Sequence, residues 1–136
     1  MTIAVDFDGT IVENRYPDIG REIPFAVQTL KMLMREGHQL ILWTVRNGRL
    51  LDEAVQWCTE HGLEFYSVNK NFDEEELDTA RYSVKLRADL FIDDRNVGGM
   101  LDWGTIYDLV STRQNIVEYL QRQQSAPKKK RHWWQF

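Results

Sequence analysis

Two pairs of aspartates, each directly after a short apolar run, have types and spacing suited to chemistry. Asp6 and Asp8 follow Ile3-Ala4-Val5 and precede a glycine, and Asp93-Asp94 follow a similar run. Carboxylates this close together repel one another unless a cation or a shared proton relieves the repulsion. The spacing therefore predicts a divalent-cation site built from oxygen ligands. The structural alternative is an ordinary Asp-Gly turn beside a solvated strand end.

The first pair of aspartates is suited to phosphoryl transfer. Asp6 can attack phosphorus in line and form an aspartyl-phosphate, a covalent route open to carboxylates. Asp8 can protonate the leaving oxygen and later take a proton from the hydrolytic water. Mg²⁺ is the expected cation, held by Asp6, by Asp8 through a nearby main-chain carbonyl, and by Asp93. Asp94 is expected to orient Asp93, a lysine or a metal-bound water.

Several residues between the two acidic pairs are candidates for binding a phosphate. Thr44 ends an apolar run and offers a hydroxyl near backbone N–H groups, while Arg46 offers a guanidinium fork. Lys85 and Lys70 are alternative sources of a point charge. A threonine at this place is also a common helix cap, and a loop arginine is often a surface ion pair. Further candidates are Arg15, Tyr16, Arg95 and Asn96.

Apolar runs alternate with helical patterns along the chain, which predicts a three-layer α/β/α sandwich with a central parallel sheet. If the first and fourth strands are neighbours, both acidic pairs lie at the carboxyl edge of this sheet, where open α/β sheets bind ligands. Residues 11–22 are expected to form an irregular flap above that edge. Strands are predicted at 3–5, 38–44, 63–68 and 88–92, and helices at 24–36, 48–61, 102–110 and 115–120.

The length and charge of the chain limit its class. With 136 residues it is expected to form one domain, 1–122, followed by a basic and aromatic tail, 123–136. The net charge is −4, and the tail residues 128–131 are all basic, so the body is strongly acidic and an unsuitable nucleic-acid surface. The tail is expected to be flexible, with contact to an anionic surface as the alternative.

The location of the protein is predicted from what the sequence lacks. No apolar run reaches membrane-spanning length, and the opening does not resemble a secretory signal. The one cysteine, Cys58, falls in a helical pattern and is expected to be core in a reducing compartment. These features predict a cytoplasmic protein.

The order of the candidate residues resembles the four motifs of the haloacid dehalogenase (HAD) superfamily, over roughly residues 1–109. The resemblance implies a HAD-like Rossmannoid fold, phosphatase chemistry at Asp6 and Asp8 with Mg²⁺, and phosphate binding by Thr44. It favours Lys85 over Lys70, because the position before the acidic strand end is similar to that in small nucleotidases of the superfamily. The four motifs match Asp6-Phe7-Asp8-Gly9-Thr10, Thr44, Lys85 and Asp93-Asp94.

No segment is long enough for the cap domain that many members of this superfamily carry, which predicts a capless site. The expected function is that of a magnesium-dependent phosphomonoester hydrolase acting on a small phosphorylated substrate, a nucleotide included, or on a phosphorylated macromolecule. Closure of the site by a neighbouring subunit of a homo-oligomer is a further expectation. The alternatives are a phosphoacceptor domain, which the absence of an acid after 63–68 opposes, and a non-enzymatic scaffold.

Overall fold

The computed structural model describes residues 1–71 and 86–125, and these form an α/β fold around a parallel sheet. The elements in chain order are β1 (Thr2–Val5), β2 (Val12–Arg15), β3 (Asp18–Glu22), α1 (Ala26–Arg35), β4 (Gln39–Leu42), α2 (Gly48–Glu60), β5 (Ser67–Val68), β6 (Leu90–Ile92), α3 (Trp103–Thr112) and α4 (Ile116–Ser125). The sheet contains four strands in the order β5-β4-β1-β6, all parallel. The predicted fold class is confirmed.

β1 lies in the middle of this sheet and pairs with β4 on one side and β6 on the other. Val5 is in register with Leu42 of β4 and with Ile92 of β6. One residue further, the Asp6 amide donates to the Ile92 carbonyl at 2.9 Å. The two acid-bearing strands are therefore neighbours, which is the condition under which the sequence predicts that both acidic pairs lie at one edge.

The two faces of the sheet pack against different parts of the chain. Ile3 and Val5 of β1 belong to a large buried cluster that includes residues of α1, α2 and α3. Ala4 and Ile41 point to the other face, where they pack with Leu86. Residues 72–85, which precede Leu86 in the chain, lie outside the described residues.

Cys58 lies in the first cluster and is 1% exposed, as the sequence predicts for a core cysteine. Burial raises the pKa of its thiol to about 12, so the side chain stays neutral.

The segment predicted as an irregular flap is a β-hairpin, which corrects that expectation. β2 and β3 pair antiparallel, with a register shift between Val12 and Asn14. Gly20 lies so close to the opposite strand that a Cβ there would come within 2.1 Å of the Glu13 carbonyl oxygen. Most residues of both strands are exposed, so no apolar alternation marks them in the sequence.

Two predicted boundaries were also wrong. The third strand spans only Ser67–Val68, because the Leu63 amide donates to the Cys58 carbonyl and is used by the end of α2. α1 begins at Ala26 rather than at Pro24, because Phe25 has a left-handed backbone with φ of 68°.

The end of the chain differs partly from the expectation. α4 continues beyond the predicted boundary at residue 122, and its Arg122 pairs with Asp108 of α3 at 2.6 Å. The rest of the predicted tail, residues 126–136, lies outside the described residues. Within 1–71 and 86–125, none of the helices has the length and hydrophobicity to span a membrane.

Candidate active site

The loop that follows β1 is held by hydrogen bonds from a buried threonine. Thr10 is fully buried, and its hydroxyl donates to Asp6 Oδ2 at 3.1 Å. The same hydroxyl accepts a hydrogen bond from the Asp94 amide, also at 3.1 Å. The main-chain carbonyl of Thr10 accepts a hydrogen bond from Nε1 of Trp103, a buried residue of α3. Thr10 therefore links the first acidic pair, the second acidic pair and the helical layer.

Three carboxylates converge at this edge of the sheet. Asp6, Asp93 and Asp94 each offer one oxygen, and the three oxygens lie within 4.8 Å of one another. Burial is the largest cause that raises the pKa of Asp6, to about 7, followed by its hydrogen bond with Asp94 and the charge of Asp93. A carboxyl group with this pKa is partly protonated at neutral pH, and a bound cation would displace the proton.

The contacts of Asp94 show that the cluster is tightly built. A Cβ at Gly9, whose φ is 83°, would come within 2.2 Å of Asp94 Oδ2, so the main chain approaches the carboxylate as only glycine allows. Asp94 Oδ1 is buried, and no residue of the described ranges donates to it. A buried acceptor without a donor is costly. A divalent cation fits this set of oxygens, both by charge and by donor type.

Asp8 faces a different partner. Arg46 Nε and a terminal guanidinium nitrogen donate to the two carboxylate oxygens of Asp8, each at 2.7 Å. The Arg46 side chain is completely buried and that of Asp8 is 10% exposed. The expectation that Arg46 forks onto a substrate phosphate is therefore corrected, because its fork is occupied by Asp8. The Asp8 side chain is likewise absent from the group of three carboxylates, which contains Asp94 instead.

Thr44 lies where the sequence predicts it, at the same edge of the sheet. Its amide donates to Asn69 Oδ1 at 2.8 Å, and its hydroxyl oxygen accepts from the Arg46 amide at 3.1 Å. Among the described residues the Thr44 hydroxyl donates to no other group, so its proton is available to a ligand. A cavity of about 200 Å³ lies beside these groups, lined by Asp6, Asp8, Trp43, Thr44, Val45, Asp93 and Arg95.

The two candidate lysines have different outcomes. Lys85 lies outside the described residues, so its phosphate role stays a prediction. The Lys70 carbonyl accepts a hydrogen bond from the Ser67 hydroxyl. Lys70 is absent from the described lining of the cavity, whereas Arg95, one of the further candidates, is present.

Sequence reasoning missed some residues that shape the site. The role of Trp103 depends on a contact 93 positions away in the chain, and that of Asn69 on a contact 25 positions away. Trp43 and Val45 flank Thr44, so their place beside the cavity follows once the site of Thr44 is known. Asn69 carries a weak signal, since a polar residue directly after a strand end commonly faces the ligand edge.

Comparison with known proteins places the chain beside one solved structure. The chain is similar to a conserved protein from Bacteroides thetaiotaomicron, with 60% identity over 88% of this chain and 96% of that one, and a TM-score of 0.81. The chain belongs to the same family as that conserved protein. No protein-family model matches the sequence, and no curated protein is similar to it.

Proposed function

We propose that the protein is a magnesium-dependent phosphomonoester hydrolase of the HAD superfamily, which forms an aspartyl-phosphate at Asp6. The single observation that supports this most is the convergence of Asp6, Asp93 and Asp94 within 4.8 Å at the carboxyl edge of the sheet. The adjoining cavity, at about 200 Å³, has room for a phosphoryl group beside Asp6. Asp6 and Asp93 are both part of its lining.

In this proposal each described residue of the site has a distinct task. Asp6 Oδ attacks phosphorus, the bond from phosphorus to the leaving oxygen breaks, and that oxygen takes a proton from Asp8. The Thr44 hydroxyl and Arg95 provide hydrogen bonding and positive charge at the cavity wall. Asp6, Asp93 and Asp94 would hold Mg²⁺, which when bound offsets the repulsion between carboxylate and phosphoryl oxygens.

Asp8 serves the proton transfers of the reaction. It lies two residues from the nucleophile and lines the same cavity. Water then attacks phosphorus of the aspartyl-phosphate, a proton moves from water to Asp8, and Asp6 leaves as a free carboxylate with release of phosphate. The site hydrolyses a phosphate ester only if both the formation and the hydrolysis of the aspartyl-phosphate occur.

The test is the release of 4-nitrophenol from 4-nitrophenyl phosphate with Mg²⁺ present, and with a chelator. Chelation should stop turnover, and Asp6→Asn should lower it by about 10³-fold or more, because an amide is a poor nucleophile. The matched control is Asp52→Asn, an exposed aspartate of α2, which should keep full activity. Acid quenching with radiolabelled substrate should leave phosphate on the wild type in a hydroxylamine-sensitive bond.

The proposal fails if Asp6→Asn retains wild-type turnover, or if turnover is indifferent to the chelator. Phosphate incorporation without release would instead favour the phosphoacceptor alternative. A metabolite panel that contains sugar phosphates and nucleotides, assayed by phosphate release, then identifies the substrate class.

A further inference from the structure

Arg46 uses its whole guanidinium group inside the protein. Two of its N–H groups form the fork on Asp8 described above. The other donors reach main-chain carbonyls: one terminal nitrogen donates to Pro17 at 3.1 Å and to Leu50 at 3.3 Å, and the other donates to Asp18 at 2.9 Å. A guanidinium has five N–H groups, and this arrangement pairs all of them.

These contacts join two separate elements, the β2–β3 hairpin and α2, to Asp8. Pro17 and Asp18 lie at the tip of the hairpin, in its turn and at the start of β3, and Leu50 lies in the first turn of α2. The guanidinium carbon also lies 5.4 Å from the centre of the Phe7 ring and 5.2 Å from that of Tyr16, within cation–π range. Arg46 therefore has little freedom to turn, and Asp8 has little freedom to turn away from it.

We propose that Arg46 is a positioning residue for Asp8 and that the tip of the β2–β3 hairpin, by fixing Arg46, is part of the catalytic apparatus. This inference rests on the proposed function. The two hydrogen bonds from the guanidinium fix the direction of the Asp8 carboxylate oxygens beside the cavity. Asp8 is thereby held in place for the proton transfer from water in the second half of the reaction, in which the bond between phosphorus and Asp6 Oδ breaks.

The kinetic test compares Arg46→Lys with wild type. Lysine keeps the charge but has no planar fork, so Asp8 should be misaligned while Asp6 stays in place. Misalignment of a catalytic group by a fraction of its hydrogen-bond length can cost up to about 10²-fold. With 4-nitrophenyl phosphate, whose leaving group needs little protonation, phosphoenzyme formation should change by less than about threefold and its hydrolysis should slow by about tenfold or more.

The readout is the fraction of protein trapped as phosphoenzyme at steady state, measured by acid quench. This fraction should rise in Arg46→Lys and stay at the wild-type value in Arg49→Lys, which changes an exposed arginine of α2. A general loss of folding would instead lower the rates of both phosphoenzyme formation and phosphoenzyme hydrolysis. An unchanged or lower phosphoenzyme fraction in Arg46→Lys overturns the positioning role.

A second measurement does not depend on turnover. Amide hydrogen exchange in residues 12–22 should become about tenfold faster or more in Arg46→Lys, with exchange in β1 and β4 unchanged. If the wild type hydrolyses no phosphate ester, the proposed function fails, and this measurement still decides whether Arg46 holds the hairpin. Equal exchange in both proteins overturns that coupling.

Tyr16→Leu provides the variant with the smaller structural risk, since Tyr16 is 51% exposed. It removes the ring from the guanidinium and leaves the fork on Asp8 intact. Both the phosphoenzyme fraction and the hairpin exchange rate should shift in the same direction as in Arg46→Lys, but less. If Tyr16→Leu shows the wild-type phosphoenzyme fraction and the wild-type hairpin exchange rate, the hairpin tip is not part of the catalytic apparatus.

Discussion

At the scale of single residues, the two aspartates of the first pair lie in opposite electrostatic surroundings. Asp6 lies beside other acids, and burial together with Asp94 and Asp93 raises its pKa to about 7. Asp8 is paired with a buried guanidinium through two hydrogen bonds. Two chemically identical groups, two residues apart, are thus prepared for different tasks by their neighbours.

The raised pKa of Asp6 predicts how the metal-free protein responds to pH. The folded state keeps a proton on Asp6 between its unfolded value of 3.8 and about 7, so the folded state binds more protons than the unfolded state in this range. The contribution of Asp6 to the free energy of unfolding should therefore be full below 3.8 and fall as the pH rises to about 7. The measurement is thermal unfolding in chelator, taken as the difference between wild type and Asp6→Asn.

Mg²⁺ should reverse this loss. Because a proton competes with the cation for Asp6, added Mg²⁺ should raise the unfolding midpoint more above the pKa of Asp6 than well below it. Asp6→Asn should show a small shift at both pH values. A Mg²⁺ effect in wild type that is equal on both sides of the pKa of Asp6 would show that the cation binds elsewhere.

At the scale of elements, the site depends on one tight loop between β1 and the hairpin. Its main chain turns at Gly9, whose amide donates to the Val12 carbonyl at 2.7 Å. Thr10 then fixes the loop to Asp94 and to Trp103 of α3. The candidate aspartates belong to this loop or adjoin it, so its backbone geometry should control both stability and metal affinity.

Two glycine substitutions separate backbone strain from the contact with Asp94. Gly9 and Gly37 have φ of 83° and 90°, but only a Cβ at Gly9 meets another atom, Asp94 Oδ2 at 2.2 Å. Gly37→Ala should cost about 1 kcal/mol through left-handed strain alone. Gly9→Ala should cost a further ~1–3 kcal/mol from overpacking.

Chemical denaturation measures both free energies of unfolding, and calorimetry measures Mg²⁺ affinity. Affinity should fall in Gly9→Ala and stay unchanged in Gly37→Ala, because only the first moves Asp94. Equal costs and equal affinities in the two variants would contradict the role assigned to the loop.

At the scale of the whole molecule, the acids that follow β1 and β6 lie at one edge of the sheet, and the helices α1, α2 and α3 pack against one of its faces. The described fold ends with α4, whose Arg122 pairs with Asp108 of α3 at 2.6 Å. A chain that ends at Ser125 retains this pair and all the site residues described here. It lacks the basic residues 128–131.

The chain that ends at Ser125 should therefore keep the unfolding midpoint and the turnover of 4-nitrophenyl phosphate of the full chain, within about twofold. Light scattering on both chains, beside the assay, is the measurement. If truncation abolishes both turnover and an oligomer, the prediction is wrong, and a neighbouring subunit completes the site.

The sequence by itself determined the fold class and placed Asp6 and Asp93-Asp94 at the carboxyl ends of two buried strands, and the pairing of β1 with β6 brought them together. Apolar β-branched runs mark buried parallel strands, and the carboxyl ends of such strands share an edge. Adjacency of two acid-bearing strands was therefore enough to bring these side chains together. Thr44 reached the same edge for the same reason, since it follows β4, the other neighbour of β1.

Only the tertiary structure decided what each group contacts. The pairing of Arg46 with Asp8 spans 38 positions, and Arg46 is also held by carbonyls of the hairpin and of α2, which no local sequence pattern indicates. The hairpin itself escaped prediction because its strands are mostly exposed and polar, so main-chain pairing rather than apolar alternation forms it. Hydrophobic periodicity determines which residues are buried, but the partner of a buried polar group is set by packing between distant segments.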